Sequence, residues 1–115
     1  KNGYNDLVIT QNKNIIETLS SNLFFAKEIK KQYFFDTPVI SDFGIKGVMR
    51  EKIIQSLRKK GYKVNIKNIE VSNVKKYTSC FKVNSVKGII FIDRIGKNKF
   101  SKPEILYNIL KSFIY

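Results

Sequence analysis

Histidine is absent from this 115-residue sequence, and cysteine occurs once, at Cys80. Without histidine, zinc sites of the usual kind are excluded, and so is the usual general base of hydrolases and ribonucleases. A single cysteine excludes an intrachain disulfide and a thiolate metal cluster. Catalysis would have to use Asp, Glu, Lys, Arg, Tyr, Ser, Thr or Cys80, and the sequence predicts neither a metal nor a cofactor.

Long apolar runs are also absent. No stretch approaches the roughly 18–20 apolar residues that a membrane-spanning helix needs, so no membrane span is predicted. The chain begins at Lys1 without a methionine or a signal peptide, which is typical of a processed product, an excised domain or a missing start. An apolar fraction of 43% with nine phenylalanines favours one packed domain over residues 1–115.

The spacing of apolar residues predicts two helices in the first half of the chain. Between Ile15 and Tyr33 they recur every three or four positions, which predicts a helix over residues 14–33. A stripe from Ile45 to Leu57 predicts a second helix over 45–60, ended by Gly61.

The second half reads as strands followed by a helix. Alternation predicts strands over 62–66 and 76–83, and the apolar run 89–92 predicts a buried central strand. The links are short, which favours antiparallel pairing, and an apolar stripe predicts a helix over 101–115. The predicted class is therefore α+β: N-terminal helices, a mainly antiparallel three- to four-stranded sheet and a C-terminal helix.

Positive charge is concentrated in one part of the chain. Residues 1–45 carry five basic and five acidic side chains, whereas residues 46–115 carry 17 basic and 4 acidic ones, the whole net charge of +13. This asymmetry is typical of proteins that bind a polyanion. It favours nucleic acid, and an acidic protein partner or a merely lysine-rich composition stays open. The nucleic-acid-binding candidates are Arg50, Lys52, Arg58, Lys59, Lys60, Lys63, Lys67, Lys82, Lys97 and Lys99.

RNA can be cleaved without metal or histidine, because its own 2′-hydroxyl is the nucleophile. The protein must then supply a base, cations for the phosphate and a proton donor. Asp93, at the end of the apolar run, is the candidate base, and Arg94 or Lys76 would stabilise charge. Tyr77 or Thr78 would donate the proton. The alternative is that Asp93 and Arg94 form only a surface ion pair or a turn.

The segment GIIFIDRIG, residues 88–96, resembles the hydrophobic-Asp-Arg-x-Gly hairpin of colicin-type tRNA-cleaving toxins. Related segments occur in contact-dependent inhibition toxin domains grouped with barnase and RelE. The resemblance implies metal-independent cleavage of structured RNA, with tRNA as the expected substrate, and an acidic immunity or antitoxin protein as partner. It also implies a cytoplasmic site of action and delivery as the C-terminal part of a secreted protein.

Two alternatives remain. The layout of Lys-Lys-Gly-Tyr-Lys-Val and a later Phe-Ser-Lys-Pro-Glu helix is similar to PD-(D/E)xK nucleases, which implies metal-dependent cleavage of DNA. The strand here reads Ile92-Asp93-Arg94-Ile95 and lacks the Glu-x-Lys of that family. A non-catalytic nucleic-acid-binding module would fit the charge as well.

Overall fold

In the computed structural model of this protein, the described residues are 8–11, 14–18, 22–39, 47–84 and 88–113, with side chains described from residue 22 onward. They form ten strands, two α-helices and a 3-10 helix. In chain order these are β1 (Val8–Gln11), β2 (Asn14–Thr18), β3 (Asn22–Ile29), β4 (Gln32–Thr37), α1 (Val48–Lys59), β5 (Lys63–Ile66), β6 (Ile69–Glu70), the 3-10 helix (Val71–Lys76), β7 (Ser79–Asn84), β8 (Gly88–Phe91), β9 (Arg94–Ile95), β10 (Asn98–Lys99) and α2 (Glu104–Lys111).

Strands β1 to β8 form one branched sheet, and β3 is its hub. Residues 25–29 of β3 pair antiparallel with β4, and residues 22–26 pair antiparallel with β7. Strands β4 and β5 are parallel, with α1 as the crossover between them. The α+β class and the mainly antiparallel pairing are confirmed, and the sheet of eight strands is larger than predicted.

The predicted helix over residues 14–33 is wrong, because strands β2 and β3 and the start of β4 occupy that stretch. Side chains 22–26 are all buried, since β3 is covered on both faces. A strand buried on both faces carries a continuous apolar run. Such a run fits the helical spacing of three and four residues as well as it fits the strand period of two. The chain reverses at Lys30 and Lys31, which both adopt left-handed backbone (φ 52° and 66°).

The two faces of the sheet carry separate cores. The helix-side core packs Phe24 and Phe81, whose stacked rings lie 5.3 Å apart, against Leu57 of α1 and Leu106 of α2. The opposite core includes Leu23, Phe25 and Cys80 of the sheet, Val74 of the 3-10 helix, and Ile69, Tyr77, Ile92 and Ile95. Neighbouring residues along β3 and β7 therefore alternate between the two cores.

Helix α1 lies within the predicted residues 45–60, and α2 lies within residues 101–115. Gly61 ends α1 with a φ of 94°, and its N–H donates to the Arg58 carbonyl at 3.0 Å. The prediction of a central strand at 89–92 is wrong, because in the described part of the sheet β8 pairs with β7 alone. Neither described helix is long and apolar enough to cross a membrane.

Candidate functional site

The crossover from β4 through α1 to β5 brings the carboxyl end of a parallel strand against the start of a helix. Just beyond the end of β4, the Pro38 carbonyl accepts a hydrogen bond of 3.0 Å from Nη2 of Arg50, in the first turn of α1. Crevices at the carboxyl ends of parallel strands are where open α/β sheets bind ligands. A ligand-binding site is therefore expected at this end of α1.

The start of α1 depends on a glycine. Gly47 precedes the first helical residue in extended backbone (φ −85°, ψ 119°), and it has no side chain that could cap the first turn. A Cβ at this position would overlap Oδ1 of Asn22 on β3 and lie 3.1 Å from Cβ of Arg50. The first backbone N–H groups of a helix have no partner within the helix. Glycine thus lets α1 begin directly against Asn22 of the sheet.

A buried cation, paired with an exposed carboxylate, lies at this end of α1. Arg50 is only 5% exposed. Burial lowers the pKa of its guanidinium, and the nearby carboxylate of Glu51, 2.8 Å from Nη1, opposes that shift. A guanidinium keeps its proton in proteins, so Arg50 adds a cation to the positive end of the helix dipole. Uncapped N–H groups beside a positive charge are suited to hold a phosphate or carboxylate.

A buried polar network lies on the opposite face of the same strand. Oδ2 of Asp36 accepts a hydrogen bond of 2.6 Å from the Tyr77 hydroxyl, and Oδ1 accepts one of 3.2 Å from Nδ2 of Asn65. Burial, followed by the bond to Asp36, raises the pKa of Tyr77 well above 10.0. The network connects β4 to β5 and to the end of the 3-10 helix. Asp36 lies two residues before Pro38 in the chain.

The five predicted catalytic residues have different surroundings. Asp93 is exposed, Arg94 is half-buried on β9, and Lys76 is exposed with Nζ 5.6 Å from the centroid of the Tyr77 ring. The Tyr77 hydroxyl is directed to Asp36 rather than to Asp93. Oγ1 of Thr78 accepts the N–H of Glu28 at 3.3 Å. The hydroxyls of Tyr77 and Thr78 are thus engaged in holding β-structure together.

The ten predicted nucleic-acid-binding residues have different environments. Arg50 and Lys82 are buried, and Lys82 lies on the sheet face opposite α1, because it alternates with Phe81 and Val83 of the helix-side core. Arg58 donates to the Val64 carbonyl at 2.7 Å, which fixes α1 to β5. The remaining seven are exposed: Lys52, Lys59, Lys60, Lys63, Lys67, Lys97 and Lys99.

Reasoning from the sequence did not single out Gly47, Asn22 or the Asp36 network. A glycine directly before an amphipathic helix is a usable signal for an anion site, and Gly47 stands in that position. The network joins residues far apart in sequence, so no local sequence pattern predicts it. Among the described residues, no group of three or more His, Cys, Asp or Glu is placed to hold a metal ion.

The fold and the crevice at α1 agree with one protein family. The sequence model of that family, amino-transferase class IV, matches residues 1–95 of the chain. The chain therefore belongs to the class IV aminotransferase family.

A curated relative is an aminodeoxychorismate lyase from Vibrio harveyi, which is 30% identical over 91 residues. The match covers 77% of this chain and 32% of the relative, so the chain spans about a third of that protein's length. Two solved structures share the fold. A branched-chain aminotransferase from the archaeon Thermoproteus uzoniensis has a TM-score of 0.82 at 20% identity, covering 96% of this chain and 36% of its own. An aminotransferase from Brucella abortus, bound to the cofactor PLP, has a TM-score of 0.79 at 18% identity, covering 97% and 39%.

These findings overturn the predicted toxin function. The resemblance of residues 88–96 to a toxin hairpin is only local. This segment forms β8 and β9, and most of it lies within the family match. The ribonuclease reading is wrong, and so are the DNA-nuclease and binding-module alternatives. The expected RNA substrate, the immunity partner and delivery with a secreted toxin are wrong for the same reason.

Proposed function

We propose that this chain carries the phosphate-binding part of a pyridoxal-phosphate (PLP) enzyme that acts on the amino group of a small molecule. The observation that carries the proposal is the start of α1, where Gly47 lies against Asn22 and the buried Arg50 adds positive charge. Family membership and the PLP bound to the Brucella abortus aminotransferase support it.

The described residues fit the phosphate of this cofactor. The N–H groups of Val48, Met49 and Arg50 are the first of α1 and need acceptors. Val48, the first residue of α1, is 79% exposed, so its side chain is not packed over the first turn. Gly47 allows close approach to the backbone, and Arg50 offsets part of the phosphate charge. Bound PLP supplies an electron sink for a carbanion next to an amino group, and the role of this chain's residues is to hold and orient it.

For the reaction, we propose a lyase acting on aminodeoxychorismate, because the curated relative at 30% identity carries that name. Amino-group transfer is the second candidate, favoured by the family description. The two are separated by adding PLP to the protein in the form in which its own cells make it. Consumption of aminodeoxychorismate without an amino acceptor supports the lyase. Turnover of an amino acid that requires a 2-oxoacid supports the aminotransferase.

The phosphate site is tested by NMR titration of the ¹⁵N-labelled chain with pyridoxal phosphate, inorganic phosphate and pyridoxal. We expect the two phosphates, but not pyridoxal, to shift the amides of residues 48–50. Arg50→Gln should weaken binding of pyridoxal phosphate by about tenfold. Arg58→Gln is the matched control, since it removes a cation from the same helix that also donates to a carbonyl. Equal binding of pyridoxal, or equal losses in both variants, would contradict the phosphate site.

A further inference from the structure

A second concave site lies at the other end of α1. The helix has 12 residues, so its two ends are roughly 18 Å apart at the usual rise per residue. Here a cleft of about 560 Å³ opens between the β3–β4 turn, the turn that follows α1, and helix α2. This volume lies in the range of about 300–1,000 Å³ that is typical of small-molecule sites.

The charge in the cleft is of one sign. Among the described residues that line it, three are lysines and none is acidic; the lysines are Lys31, Lys60 and Lys63. They come from three different positions in the chain, the hairpin turn, the residue after α1 and the first residue of β5. Like charges gathered around one cavity repel each other, and an anionic group bound among them would remove that repulsion.

The turn that supplies Lys31 is unfavourable for lysine. Both Lys30 and Lys31 have positive φ, a conformation that two-residue hairpins normally give to Asn-Gly or Asp-Gly. Non-glycine residues adopt it at a cost, and observed strain of this kind often marks a functional position. Lys31 lines the cleft, whereas Lys30 beside it does not. The turn thus places Lys31, but not Lys30, against the cleft.

Part of the wall of the cleft is apolar, and one of its rings is held in place by packing. The Tyr62 ring packs edge-on against Phe35, with ring centroids 5.8 Å apart and planes at 87°. Ile105 of α2 lines the cleft and is 68% exposed. An exposed apolar side chain and a packed ring that line the same cavity offer a surface on which a flat apolar group can lie.

We propose that this cleft is a second binding site, for a small planar aromatic anion. The aromatic body of the ligand lies between Tyr62 and Ile105, and its carboxylate or phosphate group lies among Lys31, Lys60 and Lys63. Tyr33 also lines the cleft. Burial raises the pKa of its hydroxyl, and Glu28 raises it further, so this group carries no negative charge at neutral pH. The site is separate from the start of α1 and does not depend on the function proposed there.

The test is an NMR titration of the intact ¹⁵N-labelled chain with four probes: 2-naphthoate, 2-naphthyl phosphate, the neutral 2-naphthalenemethanol, and inorganic phosphate. We expect either aromatic anion to shift amides of residues 31–34, 60–63 and 105–109 and to bind at least about tenfold more tightly than the neutral alcohol or phosphate alone. The aromatic anion that binds more tightly identifies the charged group, carboxylate or phosphate, that the site prefers. Shifts confined to other residues, or equal affinity for the neutral alcohol, would overturn the proposal.

Two asparagine variants provide a matched pair. Lys30→Asn and Lys31→Asn each place a residue that tolerates positive φ in the same turn, so neither should harm folding. We expect Lys31→Asn to weaken binding of the aromatic anion by about three- to tenfold, and Lys30→Asn to change it by less than about twofold. Equal effects of the two variants would mean that general positive charge, and not this cleft, attracts the probe.

Discussion

Replacing Tyr77 by phenylalanine removes one oxygen from the interior and leaves the ring packing in place. The Tyr77 ring lies 5.1 Å from that of Phe25, a contact that phenylalanine can keep. What is lost is the hydrogen bond of 2.6 Å to Oδ2 of Asp36. The change therefore isolates the hydrogen bond from the hydrophobic packing.

The size of the effect follows from burial. Asp36 is 3% exposed and Tyr77 is 4% exposed, so water cannot easily replace the lost donor. A hydrogen bond to a charged group contributes about 1.5–3 kcal/mol, and a buried acceptor left without its partner adds its desolvation cost. The Asn65 amide remains at 3.2 Å and offsets part of this. We expect the free energy of unfolding to fall by about 2–3 kcal/mol, out of the roughly 5–15 kcal/mol of a typical domain.

Urea unfolding at neutral pH, followed by circular dichroism, measures this loss as a lower midpoint at unchanged m. Tyr107→Phe is the control, because Tyr107 is half-buried and its ring contacts survive, so its change should stay within about 0.5 kcal/mol. A loss of less than about 0.5 kcal/mol in Tyr77→Phe would refute the reasoning.

The same variant should behave differently at high pH. The folded state raises the pKa of Tyr77 above its ordinary 10.0, so the folded protein holds this proton more tightly than the unfolded chain does. The resulting stability is complete below pH 10.0 and is lost as the pH rises above it. The difference between wild type and Tyr77→Phe should therefore shrink above that pH.

Three further changes test the core. Ser79→Ala should raise the free energy of unfolding by about 1 kcal/mol in urea titrations, because the buried Ser79 hydroxyl has no hydrogen-bond partner among the described residues; a loss would mean that the hydroxyl is satisfied. Leu57→Ala should cost about 3 kcal/mol, since Leu57 is fully buried, and an effect below about 1 kcal/mol would show that α1 does not pack on the sheet. Burial raises the pKa of the Cys80 thiol well above 9.0, so the folded protein keeps this proton at a pH at which the unfolded chain loses it. The free energy of unfolding should therefore fall as the pH rises above 9.0, and thermal melts of Cys80→Ala should show a flatter alkaline decline than wild type.

The parts of the fold that the sequence predicted correctly are those with one buried face. Helix α1 buries Ile53, Ile54 and Leu57 and exposes Lys52, so its period is visible, and Gly61 marks its end. In β5, Val64 is buried between exposed neighbours, whereas Ile66 on the same face is exposed. In such elements, the pattern of the sequence directly records which side is covered.

The prediction for the first half of the chain was wrong for the opposite reason. Residues 22–26 of β3 are buried on both faces and have no exposed side from which a period of two could be read. The turn that follows it consists of Lys30 and Lys31, without the glycine, asparagine or proline that would mark a turn. Three strands therefore looked like one long helix.

The function was misread because positive charge alone was taken to indicate a polyanion, although exposed charges also serve solubility. Arg50 and Lys82 are buried, and Arg58 serves to hold β5. The candidate site depends on backbone N–H groups and on a missing side chain at Gly47, which a count of charged residues cannot register. The Asp36 network depends on contacts that exist only after folding.

The central position of β3 has a consequence for synthesis on the ribosome. Its partners β2 and β4 lie next to it in the chain, but its third partner, β7, begins about fifty residues later, as the 50-residue separation of Glu28 and Thr78 indicates. At about 5–20 residues per second, the apolar edge of β3 stays unpaired for several seconds in every nascent chain. During that time residues 22–26 are an exposed aggregation-prone strand, so cells that make this protein should depend on a nascent-chain chaperone that covers them.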